Sequence, residues 1–245
     1  KTAEAIFEFL PRAVLEFTAT SLEKGEESES FGQNNLYKYP MQRYINEGYG
    51  KRIFAVGCGT SDEKTTDEVS DSDKQKLVWG ILIHLLKWEA LAAVNAPVKK
   101  AMLLTKARSI NHTDAVNDYL KNWPDSVSRE LDNVLEQVNR EGTDIAKIVR
   151  QNIPKNKIEL IKKMSAVAKS VFTIHSENKS DEEIWTEYQS LDDNKAEIVN
   201  QVRIFSEGVD YDNFYTIVVL GDTVEKVGLA AAQLIGRGLR LYKEK

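Results

Sequence analysis

The chain has 245 residues, 42% hydrophobic and 29% charged, which is enough apolar material to bury one or two cores in a globular protein of soluble composition. Its formal net charge of −5 argues against a tight, stand-alone nucleic-acid binder, since such domains are usually basic. No apolar run reaches the roughly 18 residues of a membrane span, and a single cysteine, Cys58, excludes an internal disulfide and a cysteine-based zinc cluster. The expectation is a reducing, cytoplasmic setting with no secretory signal and no membrane partner. The first residue is Lys1 rather than Met, so the chain is expected to be a processed product or part of something longer.

Arg12 to Phe17 is apolar and β-branched and predicts a buried strand ending in a turn at Thr18-Ala19-Thr20. Glu23 to Ser30 is polar and predicts a loop, and Leu36 to Tyr39 and Arg52 to Val56 are candidate short strands. Gly57 to Lys76 carries Gly, Ser, Thr and Asp throughout and predicts an exposed linker. From Lys74 to Ala96 the apolar residues Leu77, Ile81, Leu82, Leu85 and Leu86 predict a long helix, stopped by Pro97. Ala101 to Thr105 predicts a compact strand. Between Asn111 and Ser170 helical periodicity recurs over Asp114–Leu120, Val127–Val138, Ile145–Ile153 and Ile158–Ala168, with Pro124 and Pro154 as punctuation. Strand patterns return at Val171–Ile174, Ile198–Val202 and Tyr215–Leu220, and Ala230 to Leu241 predicts a closing helix. Strands separated by helices imply a parallel sheet with right-handed crossovers. The stretch from Ser126 to Ser170 is too long for one crossover and is expected to be an inserted helical subdomain.

The closing segment carries the sharpest chemistry. On a helix, Gln233, Arg237 and Arg240 are spaced by four and three and share one face, giving a fork of donors suited to phosphate oxygens. Gly236 and Gly238 each weaken a helix by about 1 kcal/mol relative to Ala, which suggests a close approach by another backbone or a ligand. An amphipathic terminal helix with a basic end favouring its own dipole would present the same residues.

Gln233 to Arg240 resembles motif VI of superfamily 2 helicases, Q-x-x-G-R-x-x-R. The resemblance implies that Gln233, Gly236 and Arg237 contact ATP and that Arg240 is the arginine finger reaching the ATP site of a preceding domain. Ser206-Glu207-Gly208-Val209-Asp210 resembles motif V, with Gly208 allowing close approach and Asp210 linking nucleotide to the domain interface; taken alone it would be an ordinary turn. Thr18-Ala19-Thr20 is similar to motif III, which couples the ATP state to the nucleic-acid track, although a strand-ending turn would look the same. Leu103 to Lys106 stands where motif IV lies, making Thr105 and Lys106 candidate phosphate contacts. With Glu47 to Lys51, Asn194-Lys195 and Gln201-Val202-Arg203, these segments are together similar to the restriction subunit of type III restriction–modification enzymes.

The resemblance implies an α/β, RecA-like parallel sheet flanked by helices with a helical insertion. Residues 1–60 would be the end of a first RecA-like domain and a connector, 61–125 the start of a second, 126–170 the insertion and 171–245 the remainder. It implies ATP and Mg²⁺, both bound mainly by an N-terminal RecA-like domain. It also implies DNA as the track, with RNA left open, and a methyltransferase or specificity subunit as a further partner. The phosphate loop G-x-x-x-x-G-K-[ST] is absent: Gly48-Tyr49-Gly50-Lys51 lacks its spacing. A D-E-x-[HD] box is also absent, since Asp67-Glu68-Val69-Ser70 lies in the polar linker. This chain alone is therefore expected not to hydrolyse ATP. A nuclease domain is not present either, so DNA cleavage is not expected of it. A non-enzymatic RecA-like module that binds nucleic acid or protein is the alternative.

No metal ligand set is expected. His84, His112 and His175 are scattered, and His84 on an apolar helix reads as a packed histidine. Trp79, Trp88, Trp123 and Trp185 fall in helical patterns and read as core or interface residues before base-stacking platforms. Lys155, Lys157, Lys162, Lys163 and Lys169 make the insertion locally basic, which usually marks a solvated face.

Overall fold

In a computed structural model of the chain, the described residues are 41–48, 51, 54, 56–57, 67–96, 101–123, 127–175, 180–190, 196–202 and 213–221. The chain divides into two units, Lys1–Pro40 and Met41–Lys245, and all described residues belong to the second. The strand and turn expected over 12–20, the strand over 36–39 and the closing helix over 230–241 lie outside the described residues.

Four parallel strands form one sheet: β1 (Met102–Lys106), β2 (Val171–Ile174), β3 (Ile198–Gln201) and β4 (Phe214–Val219), in the order β2-β3-β1-β4. β1 is interior and nearly continuous in apolar residues, as a strand covered on both faces should be. Strand alternation divides the core. Leu103, Ile198 and Val218 face one buried cluster, while Met102, Leu104, Ile174, Val199 and Phe214 form another. The architecture is α/β with an all-parallel sheet flanked by helices, consistent with a RecA-like layer.

After α1 (Met41–Asn46), the long helix α2 (Asp71–Ala93) lies against β1 and β4. It begins three residues before the expected Lys74. Ser70 caps it, its hydroxyl accepting from the Asp73 N–H at 3.1 Å, so the predicted linker ends at Ser70. Phe54 and Val56, expected in a strand, are not in one. The connection from β1 to β2 holds α3 (Ile110–Lys121), α4 (Val127–Arg140), α5 (Asp144–Asn152) and α6 (Lys157–Lys169); α7 (Asp181–Gln189) lies between β2 and β3.

Caps set the helix starts here too. Ser109 accepts from the His112 N–H at 3.0 Å and starts α3 four residues before the expected Asp114, while Thr143 and Asn156 cap α5 and α6. In α4, Val127, Leu131, Val134 and Val138 form the buried stripe that its periodicity predicts. Helices α4, α5 and α6 all touch α2, and one continuous cluster joins their Leu131, Val134, Val149, Leu160 and Met164 to Leu77, Ile81 and Leu103. The helical stretch is therefore an outer layer laid over α2, sharing its core.

Candidate functional site at the carboxyl edge of the sheet

In open α/β sheets ligands bind beyond the carboxyl ends of the strands. At that edge of β1 and β4 the molecule buries an acid. Asp73, in the first turn of α2, is only 1% exposed. A buried carboxylate is costly unless it is answered by hydrogen bonds and opposite charge. The backbone N–H of Gly221, just past β4, donates to Asp73 Oδ1 at 2.8 Å. Nε2 of His112 stands 3.3 Å from Oδ2, Nη2 of Arg108 3.8 Å from Oδ2, and Nζ of Lys76 3.8 Å from Oδ1. Burial alone would raise the Asp73 pKa. His112 and the donors from Gly221 and Ser70 outweigh it and hold the carboxyl at about 2.

Arg108 leaves the end of β1 and packs over Gly221. Its Nη2 donates to the Glu68 carbonyl at 3.1 Å, and its backbone N–H donates to Nδ1 of His112 at 3.3 Å. Beside it, the Asp67 carboxylate sits at the start of α3, accepting from the Ser109 hydroxyl at 2.6 Å and the Asn111 amide at 3.1 Å. Those two hydrogen bonds lower the Asp67 pKa. Gln201, at the end of β3 and paired in register with Lys106, is fully buried with both side-chain polar atoms unbonded.

Of the residues singled out from the sequence, the structure describes Thr105 and Lys106. Thr105 is fully buried and bonds the side-chain oxygen of Asn200 at 2.8 Å; the Asn200 amide in turn donates to the Thr113 carbonyl at 2.8 Å. Its hydroxyl therefore ties β1 to β3 and, through Asn200, to α3. Lys106 ends β1 at the carboxyl edge and is half-buried. Thr18, Ala19, Thr20, Gly208, Asp210, Gln233, Gly236, Arg237 and Arg240 lie outside the described residues.

His84 is buried and its Nε2 lies 3.6 Å from Glu197, while His175 lies 3.9 Å from Asp114. Among the described residues no group of three or more His, Cys, Asp or Glu is arranged to hold a metal ion. Trp79 and Trp123 are in the core, with the Trp79 indole N–H donating to Gln137 at 3.1 Å. Lys157 and Lys163, two of the basic residues of the outer layer, are paired with Asp132 at 2.6 Å and Glu89 at 3.0 Å. The sequence reading missed Asp73, Arg108 and Gly221. A signal for the first was present in Ser70-x-x-Asp73, a helix-start pattern, and for the last in a glycine directly after a strand.

A scan of family models and searches of curated proteins and solved structures return no match. No described helix is long and apolar enough to cross a membrane.

Proposed function

We propose that the chain is the second RecA-like half of an ATP-dependent superfamily 2 helicase or translocase acting on DNA, of the kind found in restriction enzymes. One observation carries this reading. The three strands that end at or lead into motif-like segments are parallel neighbours: β1 ends at Thr105-Lys106, β3 precedes Ser206 to Asp210, and β4 precedes Gln233 to Arg240. Their carboxyl ends share one edge, which is what cooperation on one ligand requires.

In this proposal an N-terminal RecA-like domain binds ATP and Mg²⁺. Gln233 and Arg237 of this chain hold the nucleotide from the other side of the cleft, and Arg240 stabilises the charge that develops on the transferring phosphoryl group. A finger acts mainly on the transition state, so its loss separates binding from turnover.

The test is single-turnover hydrolysis beside a nucleotide-binding titration, in the protein carrying its ATP-binding domain. Arg240→Ala is expected to lower turnover about 10³-fold, roughly 4 kcal/mol, with ATP binding nearly intact. Arg237→Ala is expected to weaken both. Wild-type turnover by Arg240→Ala at saturating ATP would overturn the assignment.

A further inference from the structure

At the amino end of β4, opposite the edge where Asp73 sits, two lysines meet one tyrosine. Lys87 lies late in α2, on the face that meets β4, and is half-buried. Its Nζ donates to the Tyr215 carbonyl at 2.6 Å and stands 5.6 Å from the centre of the Tyr215 ring. Among the described residues no carboxylate pairs with Lys87, and burial lowers its pKa. Lys51 reaches the same ring from a remote part of the sequence. Its Nζ donates to the Phe214 carbonyl at 3.2 Å and stands 4.0 Å from the ring centre. Lys163 on the outer layer has the opposite setting, since the Glu89 and Glu159 carboxylates beside it raise its pKa.

The Tyr215 carbonyl asks Lys87 for an N–H and not for a charge. A neutral amine meets that demand and keeps a lone pair. A half-buried ammonium without a counter-charge is costly, and lysines that are desolvated or set beside another cation are the ones that serve as nucleophiles. We infer that Lys87 is a site of covalent modification, its amine acylated by small anionic acyl donors of the acyl phosphate class. The lone pair of Nζ attacks the acyl carbon. The N–C bond forms as the bond from that carbon to the phosphate oxygen breaks, and the proton lost from nitrogen leaves with the hydrogen phosphate. The class of donor follows from the surroundings: the Lys51 ammonium at the same ring attracts the phosphate end, and a half-buried amine between α2 and β4 admits a small acyl group. The amide product keeps one N–H for the Tyr215 carbonyl and carries no charge, so the reaction removes one of the two charges gathered at this ring.

The experiment treats the folded chain with acetyl phosphate at mildly alkaline pH and follows acetylation site by site through peptide mass spectrometry. Lys155 and Lys162, both exposed, are the internal standards. Lys87 is expected to react several-fold faster than either, and to lose that advantage in urea. Reaction at Lys87 no faster than at the two exposed lysines would overturn the inference. So would a preference that persists in the unfolded chain, because it would then belong to the local sequence and not to the packing of α2 on β4. The class of donor is tested with Lys51→Gln and with acetic anhydride, an uncharged donor of the same acetyl group. Lys51→Gln is expected to slow acetylation of Lys87 by acetyl phosphate several-fold and to leave the anhydride reaction unchanged. An equal effect on both reagents, or none on either, would overturn the assignment to anionic donors. Should Lys51→Gln fail to fold, added salt makes the same distinction, since it screens the attraction of the phosphate reagent and not of the anhydride. Salt that slows neither reagent at Lys87, or both alike, would count against the assignment in the same way.

Discussion

Along the face of α2 that meets the sheet, Asp73, Gly80, His84 and Lys87 recur at helical spacing. Asp73 binds the exit of β4, Gly80 lies against Val218, His84 faces Glu197, and Lys87 donates to the Tyr215 carbonyl at 2.6 Å. The face that meets the outer layer carries Trp79, bonded to Gln137 of α4, and ends at Glu89, paired with Lys163 of α6. Both faces are packed, but they hold differently. The sheet face uses buried charge and close backbone approach, with Asp73 alone answered by Gly221, His112, Arg108 and Lys76. The outer face uses a stripe of interchangeable apolar side chains with solvated ion pairs at its rim. Perturbations should therefore be large and specific on the first face and small on the second.

The largest effect is expected at Asp73. Removing the carboxylate strands Arg108, His112 and Lys76 around an empty acceptor site, and breaking a buried charge pairing costs about 3–5 kcal/mol. Asp73→Ala should show it in urea melts at neutral pH. Acid titrates the same group. Its folded pKa of about 2 lies below the ordinary carboxylate value, so its contribution is complete above about pH 4 and is lost as pH falls through about 2. That is worth about 2 kcal/mol in the wild type and should vanish in Asp73→Asn.

An intermediate effect is expected at Gly80. A Cβ there would stand 2.2 Å from Cγ2 of Val218, a stiff β-branched side chain buried in β4. Gly80→Ala should cost about 1–3 kcal/mol by overpacking, despite a helix-propensity gain of about 1 kcal/mol. Combined with Val218→Ala it should cost less than the two single changes added, and strict additivity in thermal melts would show that α2 and β4 do not meet there.

The smallest effect is expected on the outer rim. Lys163 is 40% exposed beside Glu89, so Lys163→Ala should change stability only slightly, and by less still in high salt. A loss as large as that of Asp73→Ala would erase the distinction between the two faces.

The same contrast explains what could be read from the sequence. Helix α4 was legible because Val127, Leu131, Val134 and Val138 bury one stripe and leave the rest polar. The parallel sheet was legible because its apolar runs alternate with helical patterns. The sheet face of α2 was legible only at His84, which read as packed and is buried; an acid, a glycine and a lysine are what a solvated surface looks like until their partners are known. Those partners are remote: Gly221 lies 148 residues from Asp73, and Asn200 lies 95 residues from Thr105. Thr105 was read as a candidate phosphate contact because it stands where motif IV lies, and its buried bond to Asn200 could not be seen from the residues around it. The starts of α2 and α3 moved because Ser70 and Ser109 sit in polar stretches, where a capping hydroxyl resembles any other loop serine.

The interior position of β1 has a consequence for the order in which the protein is made. Its two neighbours, β3 and β4, begin only at Ile198 and Phe214, so Met102 to Lys106 leaves the ribosome long before either can pair with it. Helices α2 and α4 to α6 can meanwhile associate through contacts closer in sequence. The outer layer is thus expected to collapse early onto one side of α2, leaving a sticky, unpaired strand waiting on the other. Sheet closure then becomes the slow step of folding, and the interval before Ile198 emerges is when a nascent chain is most exposed to aggregation.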